Sequence, residues 1–345
     1  VPPDARLVLL GDKDQLSAVE SGAVFADLSA DPSLSLDARQ DIAGLCGITA
    51  EQIVPSVPAQ PSALRDCVVW FNRNFRFAAD SGIGRLAADT VAGRPDSALA
   101  WLRAGSDPSV RWLADDDTSP QPATLDVAAD GYAPYQAALQ AALLAEPTNA
   151  GLAGAPHAAA CMDAFNRFRV LCAVREGPRG VSAINRWMSQ QITAALGLPA
   201  PEPGRAWFAG RPVMVLQNDA ALRLFNGDIG ITLPDAQGSL AVYFPAADGG
   251  FRAVAPLRLP PHQTAFAMTV HKSQGSEFDA VLVLLPAQRN RVLGRELLYT
   301  AITRARQRVV LAAGAPVLAS AIQARSQRRS GLLSRLAQAC GAPTG

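Results

Sequence analysis

Lysine is almost absent from this chain. Of 31 basic residues only Lys13 and Lys272 are lysines, and neither follows a glycine. A phosphate-binding loop of the Gly-Lys-Ser/Thr kind needs that lysine to neutralise phosphate charge and the hydroxyl to hold Mg²⁺. No such loop is read here, and no Asp-Glu pair follows a strand-like run to supply Mg²⁺-holding carboxylates. A restriction-type nuclease centre needs Asp or Glu two residues before its lysine. Gly11 and Val270 stand there instead, so no nuclease chemistry is assigned.

Other shortages narrow the reading further. No run of about 18 apolar residues is present to span a bilayer, and no signal-peptide pattern opens the chain. Five cysteines (46, 67, 161, 172 and 340) form no C-x-x-C pair, which argues against a disulfide framework or a zinc site. The three histidines, His157, His262 and His271, are scattered, so no metal centre is read. A reducing cytoplasm is the default expectation.

What is present is an ordinary globular composition, 49% hydrophobic and 18% charged over 345 residues, enough for two domains. Net charge is only +1, but residues 286–345 hold ten arginines against one acid, Glu296. Such a basic region points to a polyanion, either nucleic acid or nucleotide phosphate; an arginine-rich solvated surface is the plainer alternative. The chain opens without methionine and reaches an apolar run, Leu7–Leu10, almost at once. A core strand with no preceding partner is expected of the C-terminal piece of a longer protein.

Periodicity predicts short helices at 23–28 and 37–46, and a strand or buried element at 66–71. A helix capped by Ser81 is expected over 81–92. The acidic, proline-broken stretch 105–130 reads as a surface loop. Helices follow at 131–145 and 158–168, a strand at 169–174, and a helix from 182 to 196. From 212 the texture changes: PVMVLQ, DIGITL, SLAVYF and GFRAVA are short β-like runs separated by NG, DAQG and DGG turns. That predicts a small β-barrel or meander between α/β segments. Strands at 265–270, 279–285 and 308–312, with a helix at 295–305, resume the alternation.

Three separated stretches share a chemistry. LVLLGDKDQL, 7–16, ends a buried-looking strand in Gly-Asp with Gln15 just beyond, where an amide is able to sense a γ-phosphate or position water. TAITRAR, 300–306, reads as helix, with Arg304 and Arg306 on different faces. One of them suits an arginine finger that neutralises charge on a transferring phosphoryl group; an ordinary basic helix is the competing reading. In FNRNFRF, 71–77, Arg76 is either stacked between phenylalanines or a second phosphate clamp. A fourth stretch, FAMTVHKSQGSEFDAVLVLLP at 266–286, packs a polar cluster around one glycine at the edge of an apolar strand. Ligands of α/β proteins commonly bind at such sheet edges.

Taken in order, GDKDQLSAVESGAVFADL, FRFAADSGIGRLA, FNGDIGITL, TVHKSQGSEFDAVLVLLP and RELLYTAITRAR resemble the successive motifs of the RecD family. Its members are superfamily 1B DNA helicases and alpha subunits of RecBCD, exodeoxyribonuclease V. The resemblance covers nearly the whole chain and is weakest between about 100 and 160. It implies an α/β fold, a RecA-like (P-loop NTPase type) helicase motor with a parallel sheet and a small SH3-like β-barrel insertion. Residues 1–75 would close the first RecA-like domain, 76–224 and 263–345 would form the second, and 225–262 the insertion. By the same resemblance Gln15 is the γ-phosphate sensor, Arg76 a phosphate contact and Arg304 the arginine finger. Gly275, Glu277 and Lys272 fall on the nucleotide side, and Thr269, His271 and Ser273 on the side of single-stranded DNA.

The resemblance also implies ATP and Mg²⁺ as cofactors, with the Mg²⁺ ligands expected upstream of residue 1. It implies a 5′-ended single strand, RecB and RecC as partners, and 5′ to 3′ movement in double-strand-break processing. This chain alone is then expected to be inactive. Two alternatives stand beside that reading: a non-catalytic helicase-fold docking module, and a free-standing RecD-like helicase outside RecBCD.

Overall fold

The structure, a computed structural model, describes residues 2, 4–17, 24–54, 64–71, 81–144, 155–200, 207–325 and 331–339. The chain divides into two compact units, Val1–Arg76 with Arg325–Gly345, and Phe77–Ala324.

The first unit carries α1 (Val24–Leu28) and α2 (Leu36–Cys46). Ser35 caps α2 by accepting a hydrogen bond from the Ala38 amide at 3.1 Å. Trp70 Nε1 donates to the Ser29 carbonyl at 2.8 Å, tying the stretch 64–71 to the end of α1. That stretch is irregular and not the strand expected, with Val69 and Phe71 exposed. Leu7–Leu10 is likewise no core strand: it pairs with nothing among the described residues, and Leu10 is 83% exposed. A strand needs a ladder partner for its backbone groups, and apolar sequence alone does not supply one.

The second unit begins with α3 (Gly82–Ala92), capped as expected: Ser81 Oγ accepts from the Gly84 amide at 3.2 Å. It continues through α4 (Pro95–Ala104), β1 (Val110–Leu113), α5 (Pro122–Gly131), α6 (Ala133–Leu144), α7 (Ala155–Asn166), β2 (Phe168–Cys172) and α8 (Val181–Ala195). The strands β3 (Pro212–Val215), β4 (Ile229–Pro234), β5 (Leu240–Pro245), β6 (Phe251–Val254) and β7 (His262–Thr264) follow. Last come β8 (Ala267–Thr269), β9 (Phe278–Leu284), α9 (Arg295–Ile302), β10 (Ala305–Ala312) and α10 (Ala315–Gln323). A final helix, α11 (Leu332–Ala339), belongs to the first unit and packs on α1.

Two sheets organise the second unit. The larger is parallel, ordered β1-β10-β9-β2-β8. Its central β9, FDAVLVL, is buried along its C-terminal half, as a strand between covered faces must be. The smaller is antiparallel, ordered β6-β5-β4-β3-β7, and begins at Pro212. The central strands of the smaller sheet, β3, β4 and β5, are buried on both faces. Ile231, Leu233 and Tyr243 join the main core, while Val213, Val215, Val242 and Phe244 form a second cluster with Leu224 and Val254. An aromatic group of Tyr132, Tyr135, Phe165, Phe168 and Phe266 fills the main core, with ring centroids 5.1–6.4 Å apart. The buried hydroxyl of Tyr132 donates to the Phe266 carbonyl, and that of Tyr135 to the Gly210 carbonyl at 2.9 Å.

The acidic stretch 105–130 departs from expectation. It is no simple surface loop but holds β1, an edge strand, and α5, which starts with Pro122 at a position where a missing N–H costs nothing. Its Asp115 is 1% exposed and pairs with Arg179, 64 residues away, at 2.6 Å. Arg179 also donates to the carbonyls of Leu285 at 2.7 Å and Ala312 at 3.1 Å. One guanidinium thus ties together the C-terminal ends of β1, β9 and β10.

Candidate nucleotide and nucleic-acid site

The link from β8 to β9 sets the geometry of the site. β8 and β9 flank β2, so residues 270–277 must cross β2 to reach the N-terminal end of β9. Parallel strands are usually joined by a dozen or more residues. This short link manages with a 3₁₀ turn, Val270–Ser273, followed by Gly275 at φ +81°. Thr269 caps the turn, its Oγ1 accepting from the Lys272 amide at 3.3 Å. A Cβ at Gly275 would meet nothing within 4 Å, so glycine is needed there for its backbone conformation alone.

β8 is an edge strand held from α8. Asn185 Oδ1 accepts from the Ala267 amide at 2.7 Å, and its Nδ2 donates to the carbonyls of Thr264 at 2.8 Å and Ala267 at 3.0 Å. This buried amide stands in for a neighbouring strand and fixes the approach to Thr269. From there the side chains diverge. His271 is exposed. Lys272 Nζ donates to Asn226 Oδ1 at 2.8 Å, reaching the small sheet's Asn226-Gly227 turn and not the Gly275–Glu277 segment. Ser273 is fully buried and donates to the Val270 carbonyl at 2.7 Å, so its hydroxyl closes the turn and is not offered to a strand of DNA.

The second half of the link is fastened to the start of β10. The Phe278 amide donates to the Arg304 carbonyl at 2.9 Å, and Arg304 Nη1 donates to the Ser276 carbonyl at 3.1 Å. Arg304 Nε donates to the Thr300 carbonyl at 3.1 Å, and the residue is 3% exposed. Arg306 pairs with Glu277 at 3.0 Å. The helix expected through residue 305 stops at Ile302, so Arg304 lies in the following turn and Arg306 on β10. The stretches around Gly275 and Arg304, about thirty residues apart in sequence, are thus fastened to each other. Two backbone carbonyls hold the buried Arg304 guanidinium in place.

Gln15 belongs to the first unit. Its Nε2 donates to Asp12 Oδ2 at 2.9 Å, inside a tight turn where Lys13 pairs with Asp14 and lies 4.6 Å from the Trp70 ring. Arg76 lies outside the described residues. Asn185 and Asn226 were not singled out by sequence reasoning. Asn226 sits in a stretch already quoted, FNGDIGITL, but an NG dipeptide signals only a turn. Asn185 carries no local signal, because its role depends on which strand forms the sheet edge.

A family model described as the UvrD-like helicase C-terminal domain matches residues 264–312, the span from the end of β7 through β10 that carries the fastened link. The RecBCD enzyme subunit RecD of Mycobacterium tuberculosis (strain ATCC 25618 / H37Rv) is 36% identical over 342 residues, 99% of this chain and 50% of that protein. The corresponding subunit of Haemophilus influenzae is 32% identical over 332 residues, 96% of this chain and 50% of its own length. The chain therefore spans about half the length of the curated relatives it matches. Among solved structures, a Bacteroides Pif1 helicase in complex with ADP-AlF3 and ssDNA aligns with TM-score 0.31 and 15% identity, over 65% of this chain and 55% of that one. No helix among the described residues is long and apolar enough to cross a membrane.

Proposed function

We propose that this chain is the C-terminal motor portion of a RecD-type, ATP-dependent DNA helicase. The observation that carries the reading is similarity along 99% of the chain to RecD. The helicase-domain match lies where residues 276–278 are fastened to residues 304–306. In this reading the parallel-sheet unit is the second RecA-like domain and residues 1–75 complete the first. The antiparallel sheet, in particular 225–262, is the SH3-like insertion.

The residues fit an ATP-facing role on one side and a strand-facing role on the other. Gly275, where an added Cβ meets nothing within 4 Å, and Glu277 would lie near the ribose, and Arg304, buried and held by two carbonyls, would be the cation that meets the phosphates. Gln15 and Arg76 would act as sensor and second phosphate contact. ATP supplies the free energy of phosphoryl transfer, and the chain's own groups orient and neutralise charge. Mg²⁺ would be held by carboxylates outside this chain. Thr269 and exposed His271 would touch the backbone of single-stranded DNA, with Ser273 shaping the turn beneath them and Lys272 bracing the small sheet. Because both faces hang on one short link, a change in phosphate contact shifts the grip on DNA. Movement 5′ to 3′ on a 5′-ended strand, and assembly with RecB and RecC, follow from the same resemblance.

DNA-stimulated ATP hydrolysis by the full-length protein, compared with this 345-residue chain, tests the reading. Hydrolysis is expected from the full-length protein only. Robust hydrolysis by the folded chain alone would mean that phosphate is gripped by other residues, and would overturn the site assignment.

A further inference from the structure

One charged group in the main core takes no part in the site described above. Arg169, on β2, is 0% exposed and carries its guanidinium among aromatic rings. Its Cζ lies 3.7 Å from the centroid of the Phe165 ring and 4.9 Å from that of Phe278. Nη1 donates to the Ala265 carbonyl at 3.0 Å and Nη2 to Asn166 Oδ1 at 3.4 Å. Among the described residues Nε meets no acceptor, and Arg169 enters no ion pair.

A buried cation without a carboxylate is a poor choice for stability alone. Taking the charge out of water is costly, and apolar side chains of similar volume often fill such space at no loss. Arginine survives there because a guanidinium is weakly hydrated and stacks on rings. What it adds to packing is reach in two directions.

Its contacts fall on the two strands that flank β2. Ala265 leads through Phe266 into β8, the three-residue edge strand that ends at Thr269. Phe278 is the first residue of β9, and its amide donates to the Arg304 carbonyl at 2.9 Å. Residues 270–277 already join these strands, from the end of β8 to the start of β9. Arg169 makes a second connection, through the core, between the start of β8 and the residue that holds Arg304. Among the described strands β8 pairs with β2 alone, so no further neighbour absorbs a shift at Ala265 before it reaches Thr269.

We infer that Arg169 is a positioning residue that couples Thr269, at the end of β8, to Arg304, through its contacts with Ala265 and Phe278. The inference rests on the DNA-motor reading above and names a side chain that links the two ligands while touching neither. Replacing Arg169 should therefore leave each ligand's own binding intact. It should change how strongly one ligand alters the affinity for the other.

The test measures the Kd of the full-length protein for fluorescein-labelled oligothymidylate, with and without a saturating non-hydrolysable ATP analogue. The ratio of the two values reports the coupling between the sites. In Arg169→Met, which keeps an apolar filler and removes the cation, the ratio should move toward one by about tenfold. The Kd without nucleotide and the analogue's own Kd should stay as in the unaltered protein. Arg169→Lys should behave alike, because an ammonium lacks the flat plane that faces two rings while holding a carbonyl. Phe278→Leu should shift the ratio in the same direction. The variant carrying both Arg169→Met and Phe278→Leu should be no worse than either alone, since both break one connection.

An unchanged ratio in Arg169→Met, or effects that multiply in the double variant, would overturn the proposal and leave the motor reading standing. So would a fall in melting temperature and in both affinities with the ratio kept, which is the signature of a packing residue. If Arg169→Met does not fold, Arg169→Lys and Phe278→Leu carry the test by the same ratio. If the unaltered protein binds no single strand, or binds it without regard to the analogue, the motor reading fails and the proposal with it.

Discussion

Arg304 donates from Nη1 to the carbonyl oxygen of Ser276 at 3.1 Å, joining the turn before β10 to the link before β9. The contact makes one residue both a structural tie and the candidate phosphate-facing cation. Those roles separate experimentally. Arg304→Ala in the full-length protein is expected to lower kcat for DNA-stimulated ATP hydrolysis about 10³-fold or more. Arg304→Lys should not restore it, because an ammonium lacks the planar fork that meets both carbonyls and a phosphate. DNA binding without nucleotide should survive. A loss of kcat that merely tracks a lower melting temperature would reduce Arg304 to a structural tie.

Gly275 tests the link itself. A methyl group there meets no atom within 4 Å, so Gly275→Ala carries only the strain of positive φ, about 1–2 kcal/mol. Chemical denaturation should show that modest loss. A neutral or stabilising result would mean that the backbone does not adopt the left-handed conformation.

Asn185 replaces a missing neighbour for β8. With Asn185→Ala, the Ala267 amide and two carbonyls lose their partner, which is expected to cost about 1–3 kcal/mol. Weaker DNA binding should accompany it, since Thr269 and His271 follow directly. Normal stability in urea unfolding would show that another group closes the edge.

Asp115 and Arg179 form a buried pair whose pH response has a definite sign. Burial alone would raise the Asp115 carboxyl, but hydrogen bonds from Thr124 and Arg179 outweigh it and hold the group below the ordinary carboxylate value. A lowered folded value means that the stabilisation is present above the unfolded Asp value of about 3.9 and is lost as pH falls through the folded value. Asp115→Ala should therefore cost about 3–5 kcal/mol at neutral pH. The gap from wild type should close on acidification below the ordinary Asp range. A gap independent of pH would point to packing and not charge.

Cysteine reactivity separates buried from exposed sites. Burial pushes the thiols of Cys161 and Cys172 up to about 12, while Cys46 and Cys67 are exposed. Iodoacetamide at neutral pH should label Cys46 and Cys67 and spare Cys161 and Cys172 until denaturant is added, as read by mass spectrometry. Rapid native labelling of Cys172 would contradict a closed β2.

Much of the α/β alternation was legible in the residues. The cap at Ser81, the apolar run of β9 and the short strands from Pro212 onward are local features, because helical and strand periods are properties of the backbone itself. The polar stretch 269–277 and the arginine at 304 stood out by residue type, and the roles proposed for them come from the resemblance. Tertiary structure alone decided what each polar group meets. It buried Ser273 inside a turn, sent Lys272 to Asn226, and placed Arg304 under Ser276. It turned the acidic stretch near Asp115 into a strand edge locked by Arg179, and left Leu7–Leu10 exposed and unpaired among the described residues. Periodicity records which face a side chain takes. Partners depend on which strands become neighbours, and only the folded chain settles that.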